Sequence, residues 1–303
     1  MKTTYDLIKA GLFDQASYLL KTASQENMYV EVCEDILKER NIIPYIFICF
    51  LISKESSNSL NTYALGIMYG CFGYLNGADA LGYAHHLSRL EKDPTNINLI
   101  EYQLMFYEYP DEIFSDPEAR EIAKKVLVLR PDSGLAEQIM RLTARAEHSQ
   151  LIPLGNGLST YEHVQLFIEK GRFSLAFNEI PNISHDELLT ILKSISSEKN
   201  ITAYGFIWAM INQQETAQLQ LLAAQFFAIH FNDLKGAPSI VFFHTHRAAE
   251  LKPDNLEIQE QLLSLYEPGN ESFDLEETKA LVERVLNINP KSAQGLRVKW
   301  LLK

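Results

Sequence analysis

The sequence predicts an all-α protein made of helical hairpins arranged in two similar halves. Three observations predict it. Apolar residues recur mostly three and four positions apart, which gathers them on one face of a helix. Alternating, strand-like stretches are scarce. The third observation is that the 303-residue chain repeats itself. Pro94-Thr95-Asn96 and Pro131-Asp132-Ser133 return as Pro253-Asp254-Asn255 and Pro290-Lys291-Ser292, at an offset of 159 residues and without a gap. Thirteen of the forty positions from Pro94 to Ser133 are identical to their counterparts, among them Glu101/Glu260, Leu104/Leu263, Tyr107/Tyr266, Glu108/Glu267, Phe114/Phe273, Glu118/Glu277 and Val126/Val285. A long internal period in a helical pattern marks an array of repeated units, each burying its apolar face on the next. Such arrays usually bind rather than catalyse.

The elements follow in order. In the first half, residues 1–147, helices are expected near 3–10, 13–23, 27–40, 43–53, 58–74, 77–92, 96–108, 117–129 and 133–147. The stretch Ile42 to Ile52 is nearly all apolar. Its length is too short to span a bilayer, which takes about twenty residues, so it reads as a buried core helix. A linker, 148–158, contains Pro153, Gly155 and Gly157, residues that interrupt regular structure. The second half, 159–303, gives helices near 159–170, 173–179, 184–196, 200–213, 215–232, 237–251, 255–266, 274–288 and 292–302. The starts of the halves also match: Lys9-Ala10-Gly11-Leu12-Phe13-Asp14-Gln15-Ala16 parallels Glu169-Lys170-Gly171-Arg172-Phe173-Ser174-Leu175-Ala176 at an offset of 160. The Gly ends one helix in a left-handed turn, and the Ala lets the next helix pack closely. Leu75-Asn76-Gly77-Ala78 matches Leu234-Lys235-Gly236-Ala237 in the same way, whereas 24–57 and 180–215 show little similarity.

Composition narrows the function classes. The formal net charge is −12. That argues against general binding of nucleic acid or anionic membranes, which reward clustered Lys and Arg, and it suits a basic protein partner. Cys33, Cys49 and Cys71 are odd in number and form no Cys-x-x-Cys pair, so free thiols in a reducing cytosol are expected. The N-terminus runs straight into an amphipathic pattern rather than a signal peptide. A cytoplasmic location is the expectation.

The hairpin units resemble the tetratricopeptide repeat. In the unit Ile97 to Pro131, Leu104, Tyr107, Ala119, Val126 and Pro131 fall at that family's spacing once three residues are inserted between the helices. The second copy keeps Leu263, Tyr266, Val285 and Pro290, with Thr278 in place of the Ala. The preceding unit carries Leu65, Gly66, Tyr69 and Ala78, then runs four residues long before Pro94; Gln225 and Ala228 stand for Gly66 and Tyr69 in its second copy. The resemblance covers about half the chain. It implies a right-handed α-solenoid whose first helices line a concave groove, with 133–147 and 292–302 capping the arrays.

In that register the partner-binding positions are Asn98, Glu101, Met105 and Glu108 in the first copy, and Glu257, Glu260, Ser264 and Glu267 in the second. Five of the eight are Glu. Residues three and four apart are neighbours on a helix, so each set forms one face. An acidic face attracts Lys- or Arg-rich segments and raises on-rates.

Other motifs point away from chemistry. His85-His86 and His244-Thr245-His246 lack the i,i+4 spacing of a helical zinc site, and His85 and His244 correspond in the repeat, which suits a packing role. Gly155-Asn156-Gly157-Leu158-Ser159-Thr160 lacks the Lys of a phosphate-binding loop and reads as a linker ending in a helix cap. No nucleophile elbow or metalloprotease motif is present, and no catalytic residue, metal or cofactor is assigned. Tyr102, Phe106, Tyr107 and Tyr109, and Phe226, Phe227 and Phe231, read as core wedges or groove-rim anchors. The expectation is therefore a non-enzymatic protein-binding module, in its sharpest form an acidic inhibitor or immunity-type protein that neutralises a basic toxin or nuclease. The alternative is a helical enzyme or small-ligand sensor with its site at the junction of the halves.

Overall fold

The structure is a computed structural model that describes residues 3–22, 28–55, 57–108, 113–144 and 157–303. It is all-α: eighteen α-helices and no strand among the described residues. Most of the expected linker, 148–156, lies outside them, as does Tyr109.

The helices form two compact units, and each unit takes its residues from both sequence halves. Unit 1 comprises Met1–Lys54 and Ile207–Lys303; unit 2 is Glu55–Phe206. These units therefore do not coincide with 1–147 and 159–303. Unit 1 holds α1 (Thr4–Lys9), α2 (Phe13–Thr22), α3 (Met28–Leu37) and nearly all of α4 (Ile43–Glu55). It continues with most of α13 (Thr202–Gln213), then α14 (Ala217–His230), α15 (Ala237–Leu251), α16 (Leu256–Ser264), α17 (Leu275–Ile288) and α18 (Ala293–Leu301). Unit 2 holds α5 (Asn58–Cys71), α6 (Ala78–Lys92), α7 (Ile97–Gln103), α8 (Asp116–Leu129) and α9 (Gly134–Ala144), then α10 (Thr160–Glu169), α11 (Phe173–Glu179) and α12 (His185–Ser197). Neighbouring helices pair as hairpins, notably α5 with α6, α8 with α9, α14 with α15 and α17 with α18.

Local chemistry sets the helix starts. Ser115, Ser159 and Ser184 each sit before a helix with Glu118, Glu162 and Glu187 three residues on, forming reciprocal capping boxes. These satisfy amides that the first turn leaves free. Sequence suggests one helix over 96–108, but α7 ends at Gln103 and the chain tightens into a 3-10 turn, Leu104–Glu108. Helix ends commonly tighten this way. Helix α4 is apolar on every side, and all nine residues Ile43 to Leu51 are buried. Cys33 and Cys49 are buried free thiols, and burial pushes both up to about 12.

In each unit an N-terminal arm from one half docks on hairpins from the other, through matching contacts. In unit 1 the rings of Phe13 and Phe47 lie 5.3 Å apart; in unit 2 those of Phe173 and Phe206 lie 5.4 Å apart. The Ile42 amide donates to the Lys235 carbonyl (3.1 Å), and the Ile201 amide donates to the Asn76 carbonyl (2.9 Å). Asn41 Oδ1 accepts from the Ile43 amide and Asn200 Oδ1 from the Thr202 amide, each at 3.0 Å. Gly11 and Gly171 take the same left-handed turn (φ 75° and 67°). A Cβ on Gly11 would stand 2.5 Å from the Ser239 carbonyl oxygen, and one on Gly171 would stand 1.9 Å from that of Ala80. Only glycine permits both the φ and the approach.

Both units bury an apolar core. In unit 2 it gathers Leu65, Tyr83, Leu104, Phe106, Phe114, Ala123, Val126 and Ile139. In unit 1 the corresponding core gathers Phe242, Ile258, Leu263, Tyr266, Val282, Val285 and Val298. Tyr266 is buried, its ring edge-on to Phe273 at 5.3 Å. Tyr107 is half-buried, and its hydroxyl donates to Asp116 at 2.6 Å.

Candidate interaction surfaces

The first set of expected partner-binding residues lies in unit 2. Asn96 caps α7 by accepting from the Asn98 and Leu99 amides. Leu99, Gln103, Leu104 and Phe106 turn inward. That leaves Asn98 and Met105 exposed and Glu101 half-buried. The side chain of Glu108 lies outside the described residues.

Glu101 is not a free charge. Arg130, at the end of α8, donates to its carboxylate and, through its other terminal nitrogen, to Asn98 Oδ1 at 2.6 Å. The Ser133 hydroxyl donates to the second carboxylate oxygen. An internal cation therefore pairs with Glu101.

The second set lies in unit 1 and has a different field. Asn255 caps α16 by accepting from the Ile258 amide at 3.1 Å. Ile258, Gln259, Leu262 and Leu263 turn inward, leaving Glu257, Ser264 and Glu267 exposed and Glu260 half-buried. Asn289 occupies the position of Arg130, and among the described residues no cation pairs with Glu257, Glu260 or Glu267. Arg297 approaches the far end of the helix, donating to the Leu263 carbonyl at 2.8 Å and the Ser264 carbonyl at 3.3 Å. A cation at that end complements the helix dipole.

The histidines serve packing. His85 Nδ1 lies 3.0 Å from Asn61 Oδ1, and its counterpart His244 lies 2.6 Å from Gln220 Oε1. Each pair ties the two helices of a hairpin together. Burial lowers His244 to about 3 and His85 to about 4. His86 is also held at about 4, by burial first and then by Arg89, and packs among the rings of Tyr83, Tyr102 and Phe106. Gln220 also donates to Glu215, which receives Arg247 through two nitrogens at 2.7 and 2.8 Å. Among the described residues no group of three His, Cys, Asp or Glu could hold a metal ion, and no helix is long and apolar enough to cross a membrane.

Sequence reasoning missed a pair of clefts between the second helix of one hairpin and the first of the next. The unit 2 cleft, about 540 Å³, lies between α6 and α8 and includes Tyr83, Phe114, Glu118, Ile122, Arg172 and Leu175. Arg172 arrives on the docked arm and is almost buried, its side chain 11% exposed. It donates to Glu118 at 2.6 and 3.0 Å and to the Ile113 carbonyl at 2.7 Å, and lies 5.5 Å from the centre of the Phe114 ring. Burial works to raise the Glu118 pKa, but the Arg172 guanidinium and the Ser115 donors outweigh it and hold the carboxyl below its usual range.

Unit 1 has the corresponding region between α15 and α17, about 300 Å³, lined by Phe242, Phe273, Glu277 and Leu281. A neighbouring cleft of about 610 Å³ shares Ser272, Asp274 and Glu277 and adds Leu12, Asp14 and Tyr18. The available signal was the alignment of Arg172 with Leu12, but nothing local shows that Arg172 faces Glu118, 54 residues away. No protein-family model, curated protein or solved structure matches this chain.

Proposed function

We propose that the protein is a non-enzymatic, cytosolic protein-binding helical-repeat module. In this reading it is a tetratricopeptide-like α-solenoid of two similar halves, and it recognises a partner with a basic surface. The observation that carries the proposal is the face of α16. Glu257 and Glu260 stand there, with Glu267 in the turn just beyond the helix, and none of the three has a pairing cation among the described residues. Unpaired surface carboxylates steer association more than they set final affinity. An acidic inhibitor of a basic toxin or nuclease would use such a field to win a fast encounter.

The test is affinity capture at low and high salt, followed by stopped-flow association. The triple variant Glu257→Lys, Glu260→Lys, Glu267→Lys should associate roughly tenfold more slowly, with a flatter salt dependence. Its circular dichroism should be unchanged. An acidic or apolar partner, or an unchanged on-rate, overturns the proposal.

A further inference from the structure

Unit 2 shows what its cleft is built to hold, because the chain supplies the occupant. The Arg172 guanidinium lies over an aromatic ring, meets a carboxylate through two nitrogens and donates to a backbone carbonyl. These contacts suit a planar, five-donor cation.

Unit 1 repeats the receptor and omits the occupant. Phe273 stands for Phe114 and Glu277 for Glu118. The aromatic support is also reproduced: Phe242 and Phe273 meet at 4.9 Å and 63°, as Tyr83 and Phe114 do at 5.0 Å and 78°. The residue in the place of Arg172 is Leu12. Glu277 has also lost the hydroxyl donor that Ser115 gives Glu118, because Asp274 replaces that serine. Asp274 caps α17 through the Glu276 and Glu277 amides, so its carboxylate adds negative charge beside Glu277. Asp14 and Tyr18, the latter exposed at 67%, line the neighbouring cleft that shares Asp274 and Glu277 with the Phe273 side. Arg284 and His246 also line the Phe273 side, but among the described residues no Lys or Arg forms an ion pair with Glu277 or Asp274.

We infer that the two adjoining unit 1 clefts, which meet at Asp274 and Glu277, form a socket for a guanidinium cation on a short apolar stem, brought by a ligand rather than by the chain. Leu12 and Tyr18 would take the stem, and the Phe273 ring and the carboxylates would take the head. The inference rests on residues distinct from the α16 face and stands or falls separately from it.

The test titrates the full chain with N-acetyl-arginine amide, followed by NMR shifts of Leu12 and Phe273. N-acetyl-lysine amide, of equal charge, is the control. One saturable site is expected, with the lysine analogue about tenfold weaker, since an ammonium cannot match the bidentate and ring contacts. Leu12→Arg should abolish the binding by supplying the guanidinium from within, with circular dichroism unchanged. Arg172→Ala should open the second cleft and raise the stoichiometry from one to two. Free L-arginine separates the sources: tighter binding of the free amino acid assigns a small metabolite, and tighter binding of the capped residue assigns an arginine of a polypeptide. Either result supports the socket. Absence of saturable shifts, equal response to the lysine analogue, or undiminished binding in a folded Leu12→Arg protein overturns it.

Discussion

Replacing Gly171 by Ala tests how the arms dock. Two costs are expected, and a control separates them. The first is conformational: Gly171 sits at φ 67°, where a Cβ costs about 1–2 kcal/mol. The second is steric. The added Cβ would fall 1.9 Å from the Ala80 carbonyl oxygen, a backbone atom of α6 that cannot rotate away. Relieving the overlap means moving α11 off α6, and forced displacements in packed regions cost about 1–3 kcal/mol more. Gly269 isolates the first cost, since its φ is 84° and a Cβ there meets nothing within 4 Å. Urea unfolding should therefore show Gly269→Ala losing about 1–2 kcal/mol and Gly171→Ala about 2–5 kcal/mol. Gly11→Ala should fall between them, because its nearest contact, the Ser239 oxygen, is at 2.5 Å. Equal losses for Gly171→Ala and Gly269→Ala would show that the arm does not press on α6 as described.

Two further predictions follow. Tyr266→Ala empties a buried site beside Phe273 and should cost about 3 kcal/mol or more by urea unfolding; a loss under ~0.5 kcal/mol would contradict that packing. Acid should destabilise the protein before its carboxylates titrate. Folded His244 stays neutral down to about 3 and His86 down to about 4, while unfolded histidine takes a proton near 6.5. Above that pH neither state is protonated and the effect is absent. Below it only the unfolded state gains protons, so stability falls with pH until the folded values are reached. At pH 5 each buried histidine should cost about 2 kcal/mol, and equal urea midpoints at pH 7 and pH 5 would refute this.

The helices were legible in the sequence, and their assembly was not. Apolar spacing and Ser/Glu capping boxes are local signals. The expected helices at 43–53, 173–179 and 237–251 emerge as Ile43–Glu55, Phe173–Glu179 and Ala237–Leu251 for that reason. The docking of the arms is a choice between alternatives that the repeat makes nearly equal. Phe13 and Phe173 are the same residue type, as are Gly11 and Gly171 and Asn41 and Asn200. The sequence therefore offers two similar arms and two similar docking surfaces, and periodicity cannot say which goes with which. The same difficulty hid the charges. Glu101 was legible as a surface carboxylate, but Arg130 reaches it from 29 residues away and Arg172 reaches Glu118 from 54.

Those hidden cations distinguish the two units. In unit 2 Glu101 meets Arg130 and Glu118 meets Arg172. In unit 1 the matching glutamates are Glu260 and Glu277, and Asn289 and Leu12 stand in the sequence where the two arginines do. A carboxylate with an internal partner contributes to folding, whereas one without is available to a ligand. The same substitution should then behave oppositely at the two sites. Glu101→Lys removes two donors' acceptor from a side chain only 19% exposed and sets an ammonium beside Arg130; it should cost about 2 kcal/mol of stability. Its effect on the on-rate of a basic partner should be small. Glu260→Lys breaks no ion pair among the described residues, so its stability should change by less than about 0.5 kcal/mol, while partner association slows. Urea unfolding and stopped-flow association on the two variants check both halves of the claim. If Glu101→Lys slowed association as much as Glu260→Lys at unchanged stability, Arg130 would not be neutralising Glu101, and each unit would carry its own acidic face.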